Sequence, residues 1–383
     1  MPVCYQVSMN PYFGGGEVYT RFLVEALARM GWQTVLFVHR KATYWQRLQR
    51  LQLSSCTLVP LDDVADLERA LPDAPQVILS HGPLPLGLRQ RLSPRHCLLA
   101  MVHMPLYDFA ADSYEGYTKV FAVSNYVLQS LHDAGVSYAW HEPWYGVADV
   151  APKPEDALTP IYRNSRYDWD RRKGRDLLLS KLEPLIQPFL PRPIFHKRTP
   201  LTLALVSRLT PIKQFPLMFR ILAPILAEFP DVSLEIFGAG GYASVRDLRK
   251  ALRPAHKQVR FWGFQPEVTT VYAQVDFVLS GLPEQEALGL NILEAQACNC
   301  PVLAIHAPPF SETIIHERTG LLYTDPRQDQ GAHFRNLMLQ LQDKSRWPVP
   351  SLEPTHLQKF TLESLQQRIE RAFADLGLVS TYH

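Results

Sequence analysis

Two glutamates eight residues apart, Glu286 and Glu294, flank Gly289 in the stretch EQEALGLNILEAQACNCPVLA (residues 284–304). Ala287, Leu288 and Gly289 read as a loop, and residues 290–298 as the helix it opens, with Glu294 in the second turn. A helix start offers backbone N–H groups and the positive end of the macrodipole to an anion. Gly289 lets a diphosphate approach that backbone with no Cβ in the way. Carboxylates beside such an anion would repel it, so their partners are hydroxyls, those of a ribose for one and of a sugar for the other. The chemistry is that of a sugar-nucleotide site. On spacing alone the pair equally describes solvated carboxylates on a helix surface; the surrounding pattern favours the site.

Arg208 and Lys213 follow the apolar run LTLALVSRL, near the carboxyl end of a strand, where open α/β sheets bind ligands. A planar fork and a point charge together suit a leaving diphosphate. Gly14, Gly15 and Gly16 stand between the first strand and its helix, where phosphate or sugar can come close to backbone amides, but not in GxGxxG spacing. The second strand ends in His39 and Arg40 rather than an acid, so a nicotinamide-dependent dehydrogenase is excluded. His81 (in ILSHG) and His103 (in LLAMVHMP) both end apolar strands and point to one carboxyl-end cleft; His103 is a candidate to touch substrate. No carboxylate pair of DxD type at a strand end, no HExxH and no paired CxxC is present, so no metal is expected.

The elements that must carry these residues form two series. At 383 residues the chain is long for one ordinary domain and fits two, each with its own core. Residues 3–8, 10–16, 17–30 and 34–39 read as strand, glycine loop, helix, strand. Apolar runs continue at 76–80, 96–103 and 119–124, the alternation of a parallel sheet. A second series runs from 201–207 through 215–229, 233–237, 259–263, 277–280 and 290–298 to 301–305. Between them, residues 162–198 carry ten Lys or Arg and four Asp or Glu, a local charge of +6. There the basic cluster Arg171, Arg172, Lys173 and Arg175 precedes leucines at helical spacing over 176–190. The segment reads as a solvated linker helix or as a contact with an anionic membrane surface. The expected domains are 1–160, a linker and insertion at 161–198, 199–360, and a terminal helical segment at 361–383.

Composition is that of a soluble globular chain, 46% hydrophobic and 20% charged, with no run approaching a membrane span and no basic-then-apolar leader at the N-terminus; a cytoplasmic protein is expected. Five scattered cysteines argue against a disulfide framework. A net charge of +2 is too small for a whole-molecule nucleic-acid footprint.

Taken in order, GGGE (residues 14–17), SRLTPIKQF (207–215), FGAGG (237–241), FWGF (261–264), EALGLNILEAQACNCPVL and SETIIHERTGLL (311–322) make the chain resemble the GT-B retaining glycosyltransferases of glycosyltransferase family 4, the glycosyl transferases group 1. The resemblance implies an α/β GT-B fold of two Rossmann-like, doubly wound domains facing across a cleft. The acceptor would bind mainly the first domain and a nucleoside-diphosphate sugar, UDP- or GDP-linked, the second. It implies metal-independent transfer with retention to a hydroxyl of a glycan or lipid-linked acceptor, in cell-envelope polysaccharide or lipopolysaccharide synthesis, at the inner face of the membrane. Carried over by position, Arg208, Lys213 and the amides of Gly289, Leu290 and Asn291 hold the diphosphate. Glu294 holds the ribose, Glu286 the donor sugar, and His103 lies at the reaction centre. Gly15 and Gly16 lie by phosphate and acceptor, Gly238 in the donor site, and Trp262 to Gln265, with Phe264, near the base. The terminal helix crosses back to the first domain. The chain departs from the family at Ala287-Leu288, at Asn299 and at Ala307-Pro308-Pro309. The rival readings are a sugar-nucleotide 2-epimerase of the same fold, which would need acid/base carboxylates in the cleft, and a non-catalytic sugar-nucleotide-binding scaffold.

Overall fold

The computed structural model describes residues 1–46, 55–107, 110–169, 174–186 and 192–378. Two compact units divide the chain: Met1–Asp149 with Gln358–His383, and Val150–Leu357. Residues 161–198 thus fall within the second unit.

The first unit holds β1 (Val3–Ser8), β2 (Gln33–His39), β3 (Cys56–Leu61), β4 (Val77–Ser80), β5 (Cys97–Val102) and β6 (Lys119–Ala122). They form one parallel sheet in the order β3-β2-β1-β4-β5-β6. This is a doubly wound arrangement whose order reverses between β1 and β4, the point outside whose carboxyl ends such sheets bind ligands. Strand β3, not among the strands read from the sequence, contains Pro60, a residue that cannot donate to a ladder. It lies at the sheet edge, paired on one side only, where the missing N–H is tolerated.

The helix Gly15–Arg29 buries Tyr19, Phe22, Leu23, Ala26 and Leu27, a stripe recurring every three or four residues. It begins two residues earlier than the sequence suggests. Gly15 and Gly16 are its first turn rather than loop, and Gly14, in extended backbone, is the N-cap. Glycine is tolerated there because the first-turn N–H groups have no helical acceptor to lose. The terminal helix Leu362–Asp375 is capped by Thr361, whose Oγ1 accepts from Ser364 N at 3.2 Å. Its buried stripe of Leu365, Ile369, Ala372 and Phe373 packs on Gly15–Arg29, with the Phe373 ring 5.0 Å from that of Trp32.

The second unit repeats the design with β7 (Leu201–Val206), β8 (Val232–Phe237), β9 (Val259–Gly263), β10 (Phe277–Leu279), β11 (Val302–Ile305) and β12 (Gly320–Tyr323), parallel in the order β12-β11-β10-β7-β8-β9. Its reversal falls between β7 and β10. All six residues of β7 are buried. Leu201, Leu203 and Leu205 enter one core while Ala204 and Val206 enter the other, so both faces of the sheet are covered by helices. Beneath the sheet edge the fully buried Glu235 is held by the fork of Arg260 and by Trp262 Nε1 at 2.7 Å. Within residues 161–198 the described helix is Gly174–Ile186. The cluster residues Arg171, Arg172 and Lys173 and the helix end at 187–190 lie outside the described residues.

Candidate functional site

In the second unit the carboxyl ends of β7 and β10 deliver the chemistry. The loop after β7 carries Arg208, exposed, and continues into the turn Pro211–Lys213. That loop lies backbone against backbone on the FGAGG loop after β8: a Cβ on Gly238 would stand 1.9 Å from the Ser207 carbonyl oxygen. Gly238 therefore fixes the path of the arginine loop by close approach. Lys213 Nζ donates to Glu286 Oε1, so two residues that sequence assigned separately form one ion pair, with side chains 24% and 13% exposed. The lysine thereby engages one oxygen of the carboxylate.

Gly289 adopts a left-handed backbone (φ 79°) and is the N-cap of the helix Leu290–Ala297, with no side chain capping it. Its carbonyl oxygen accepts from Ile292 N at 2.9 Å and Leu293 N at 3.3 Å. The N–H groups of Leu290 and Asn291 precede any helical acceptor. The Asn291 side chain donates from Nδ2 to the Val206 carbonyl oxygen at 3.0 Å, which ties the helix start to the end of β7. Glu294, one turn on, accepts from the Tyr272 hydroxyl at 3.0 Å. Burial raises its pKa above the ordinary carboxylate value, with the Tyr272 hydrogen bond acting the other way. Burial and the neighbouring Glu294 push the Tyr272 hydroxyl well up, so it remains a donor. Tyr272 had no local signal in the sequence, since its place is set by the packing of the helix Val268–Tyr272 against Leu290–Ala297. Of residues 262–265, Trp262 is fully buried and Gln265 nearly so, whereas the Phe264 ring is 63% exposed. Trp262 serves the core, and Phe264 is the accessible ring of the motif.

In the first unit the ends of β1, β4 and β5 converge. His81 Nδ1 and His103 Nε2 are 2.9 Å apart with rings 19° from parallel, and His81 Nε2 lies 2.8 Å from Gln6 Oε1. The amide oxygen of Gln6 only accepts, so His81 donates from Nε2 and presents a lone pair at Nδ1. His103 then donates from Nε2 and keeps Nδ1 as an acceptor. Burial holds the His103 pKa down to about 4, and burial with the adjacent His103 holds that of His81 well below the ordinary value, so both rings are neutral near pH 7. A Cβ built on Gly16 would be 3.8 Å from His103 Nδ1, so the first turn of Gly15–Arg29 borders that acceptor. Thr20 Oγ1 donates to the Gly16 carbonyl oxygen at 2.8 Å, and the Tyr19 ring meets His103 edge-on at 5.4 Å. Sequence reasoning named both histidines but not Gln6, a polar residue inside a strand whose partner lies 75 residues away.

The second unit offers cations, a helix start and two carboxylates; the first offers a glycine helix start and a neutral imidazole acceptor. Comparison with known proteins bears on what such groups do. Residues 187–346 match the sequence profile of the family described as Glycosyl transferases group 1. Among curated proteins, a GDP-mannose-dependent monoacylated alpha-(1-6)-phosphatidylinositol monomannoside mannosyltransferase from Corynebacterium glutamicum is 31% identical over 39% of this chain and 39% of its own length. A D-inositol 3-phosphate glycosyltransferase from Corynebacterium diphtheriae is 26% identical over 46% of this chain and 43% of its own. The chain therefore spans about two fifths of the curated relatives it matches. Among solved structures, Anabaena HepE in complex with UDP superposes with a TM-score of 0.72 at 17% identity, covering 98% of this chain and 100% of that one. The lipopolysaccharide outer core galactosyltransferase WaaB does so with 0.61 at 14%, covering 98% and 99%. The family match is confined to residues 187–346, and the two six-stranded parallel α/β units are those of the GT-B glycosyltransferase fold.

Proposed function

We propose that the protein is a retaining, metal-independent glycosyltransferase of family 4 that moves a sugar from a UDP- or GDP-linked donor to a hydroxyl of a glycan or lipid-linked acceptor. The observation that carries this reading is the convergence, at one sheet reversal, of the Gly289 helix start, the Lys213–Glu286 pair and Glu294. The diphosphate would lie on the Leu290 and Asn291 amides with Arg208 and Lys213 compensating its charge. Lys213 would turn from Glu286 to phosphate, freeing that carboxylate to accept from the sugar's hydroxyls. Glu294 would accept from the ribose.

As the bond from the anomeric carbon to the diphosphate oxygen breaks, charge grows on the leaving group and on an oxocarbenium-like ring. Arg208, Lys213 and the helix amides stabilise the first. The acceptor oxygen attacks from the same face and its proton passes to the departing phosphate, which preserves the anomeric configuration. His103 Nδ1, a neutral acceptor, would orient a hydroxyl of the donor sugar. The Anabaena structures were solved with UDP, glucose and UDP-glucose, and the Corynebacterium glutamicum relative is named for GDP-mannose and a lipid acceptor. Both support a nucleotide-sugar reading; the proposed place of the reaction is envelope glycan synthesis at the inner membrane face.

The test is thermal stabilisation by a panel of UDP-, GDP-, ADP- and TDP-sugars with and without EDTA, since a ligand specific for the folded state raises its melting point. A selective rise that EDTA leaves intact, and that Arg208→Ala and Glu294→Ala abolish, is expected. No rise with any donor would overturn the transferase reading.

A further inference from the structure

The second unit contains a cavity of ≈ 940 Å³ that none of the donor-site residues lines. Its walls come from residues 163–169, the helix Gly174–Ile186, the helix Tyr242–Ala251 and the start of β9. Eight arginine or lysine side chains face it and one carboxylate, that of Glu183. The carboxylate is engaged, since Trp169 Nε1 donates to Glu183 Oε2 and thereby holds the insertion helix to the wall. Two of the cations are neutralised locally: Arg260 by Glu235 and Arg246 by Asp247. Among the described residues Arg249, Lys250 and Arg253 form no ion pair, although all three line the cavity.

Concentrating cations in a concave surface costs self-repulsion, and the effect is visible in Arg163, whose guanidinium is pulled down by burial and by the charges of Arg260 and Arg166. A surface that needed only to be soluble would intersperse acids. The rest of the chain does so, for its formal net charge is +2. The aromatic wall adds a second specificity. The Tyr167 ring lies 4.7 Å from that of Trp169 and stacks on Tyr242 at 5.8 Å, and Leu179 and Leu182 complete an apolar side. The volume is that of a small-molecule site rather than of a nucleic-acid groove.

We propose that this cavity binds a phosphorylated ligand with at least two closely spaced negative charges attached to a ring or chain, a diphosphate-bearing headgroup or phosphosugar, at a site separate from the donor nucleotide. Residues 163–169 supply one wall by laying their backbone along the second unit: Asn164 N donates to the Trp262 carbonyl oxygen at 2.8 Å and Gly240 N to that of Arg166 at 3.0 Å. That backbone path gives these residues a defined place in the wall.

Isothermal titration of the full chain with inorganic pyrophosphate tests this, using two variants. Arg208→Ala/Lys213→Ala clears the donor site and is expected to retain pyrophosphate binding. Arg249→Gln/Lys250→Gln/Arg253→Gln, all at exposed positions that leave the core intact, is expected to weaken the residual binding about tenfold or more, since several charge-assisted hydrogen bonds are lost. Undiminished binding in the cavity variant overturns the proposal. So does equal weakening in Lys41→Gln/Arg69→Gln/Arg346→Gln, because the effect would then be net charge. A second arm uses vesicles of phosphatidylcholine with a phosphatidylinositol phosphate against phosphatidylcholine alone. Cavity-dependent binding of vesicles and pyrophosphate supports a lipid-borne ligand, and of pyrophosphate alone a soluble one. None of these readouts needs a donor sugar, so failure of the transferase reading and failure of this site are separately visible.

Discussion

At the residue scale, the clearest conflict in the molecule is at Glu294, a carboxylate whose burial favours the neutral form while the Tyr272 hydroxyl, donating to it, favours the charged one. A folded-state pKa raised above the unfolded value contributes stability at low pH that is lost as pH rises through the folded value. Glu294→Gln keeps the acceptor for Tyr272 and removes the charge. It is expected to raise stability at pH 7 by up to ~1 kcal/mol while abolishing donor binding; paired denaturant titration and donor titration check both halves. His103 runs the opposite way. Its pKa falls from 6.5 unfolded to about 4 folded, so its contribution is complete above 6.5 and is lost as pH falls toward 4. The melting temperature should drop between pH 6.5 and 5, and His81→Asn/His103→Asn should flatten that slope. An unchanged slope would remove the neutral pair from the account. Gln6→Leu, which lets His81 change tautomer, should lower kcat more than it raises KM, because Gln6 acts only through the rings.

At the scale of elements, the helix start is the device that matters, and one residue sets it. A side chain at Gly289 would meet the Phe310 ring at 3.1 Å and force a left-handed backbone on an L-residue. Gly289→Ala should cost about 1–2 kcal/mol and weaken donor binding further by turning the Leu290 and Asn291 amides; stability and nucleotide affinity measured on one preparation separate the two losses. The local signals here were readable in the chain: a loop ending in glycine, helix-compatible residues after it, an apolar run before Arg208. Strand β3 was not read from the chain; it contains Pro60, which cannot donate to a ladder, and only the sheet order shows that β3 is an edge where this is tolerated. The glycine run at 14–16 misled, since glycine reads as loop wherever a helix begins.

At the scale of the whole molecule, the terminal segment 358–378 is part of the first unit, where Phe373 packs beside Trp32 and Trp144. Phe373→Ala should destabilise that unit by roughly 3–5 kcal/mol, the usual cost of an aromatic core truncation. Thermal unfolding should then show an earlier transition for the first unit; one unshifted transition would contradict that dependence. By itself the sequence determined two α/β series with parallel sheets, the Gly289 turn that opens a helix and the strand-end positions of Arg208, His81 and His103, because strand alternation, helix periodicity and capping are written in neighbouring residues. Tertiary structure alone decided which distant groups meet: Lys213 with Glu286 across 73 positions, Tyr272 with Glu294, Gln6 with His81, and the cations of two segments around one cavity. Those pairings follow from strand order and from the packing of helices on the sheets, and a local period carries no information about either.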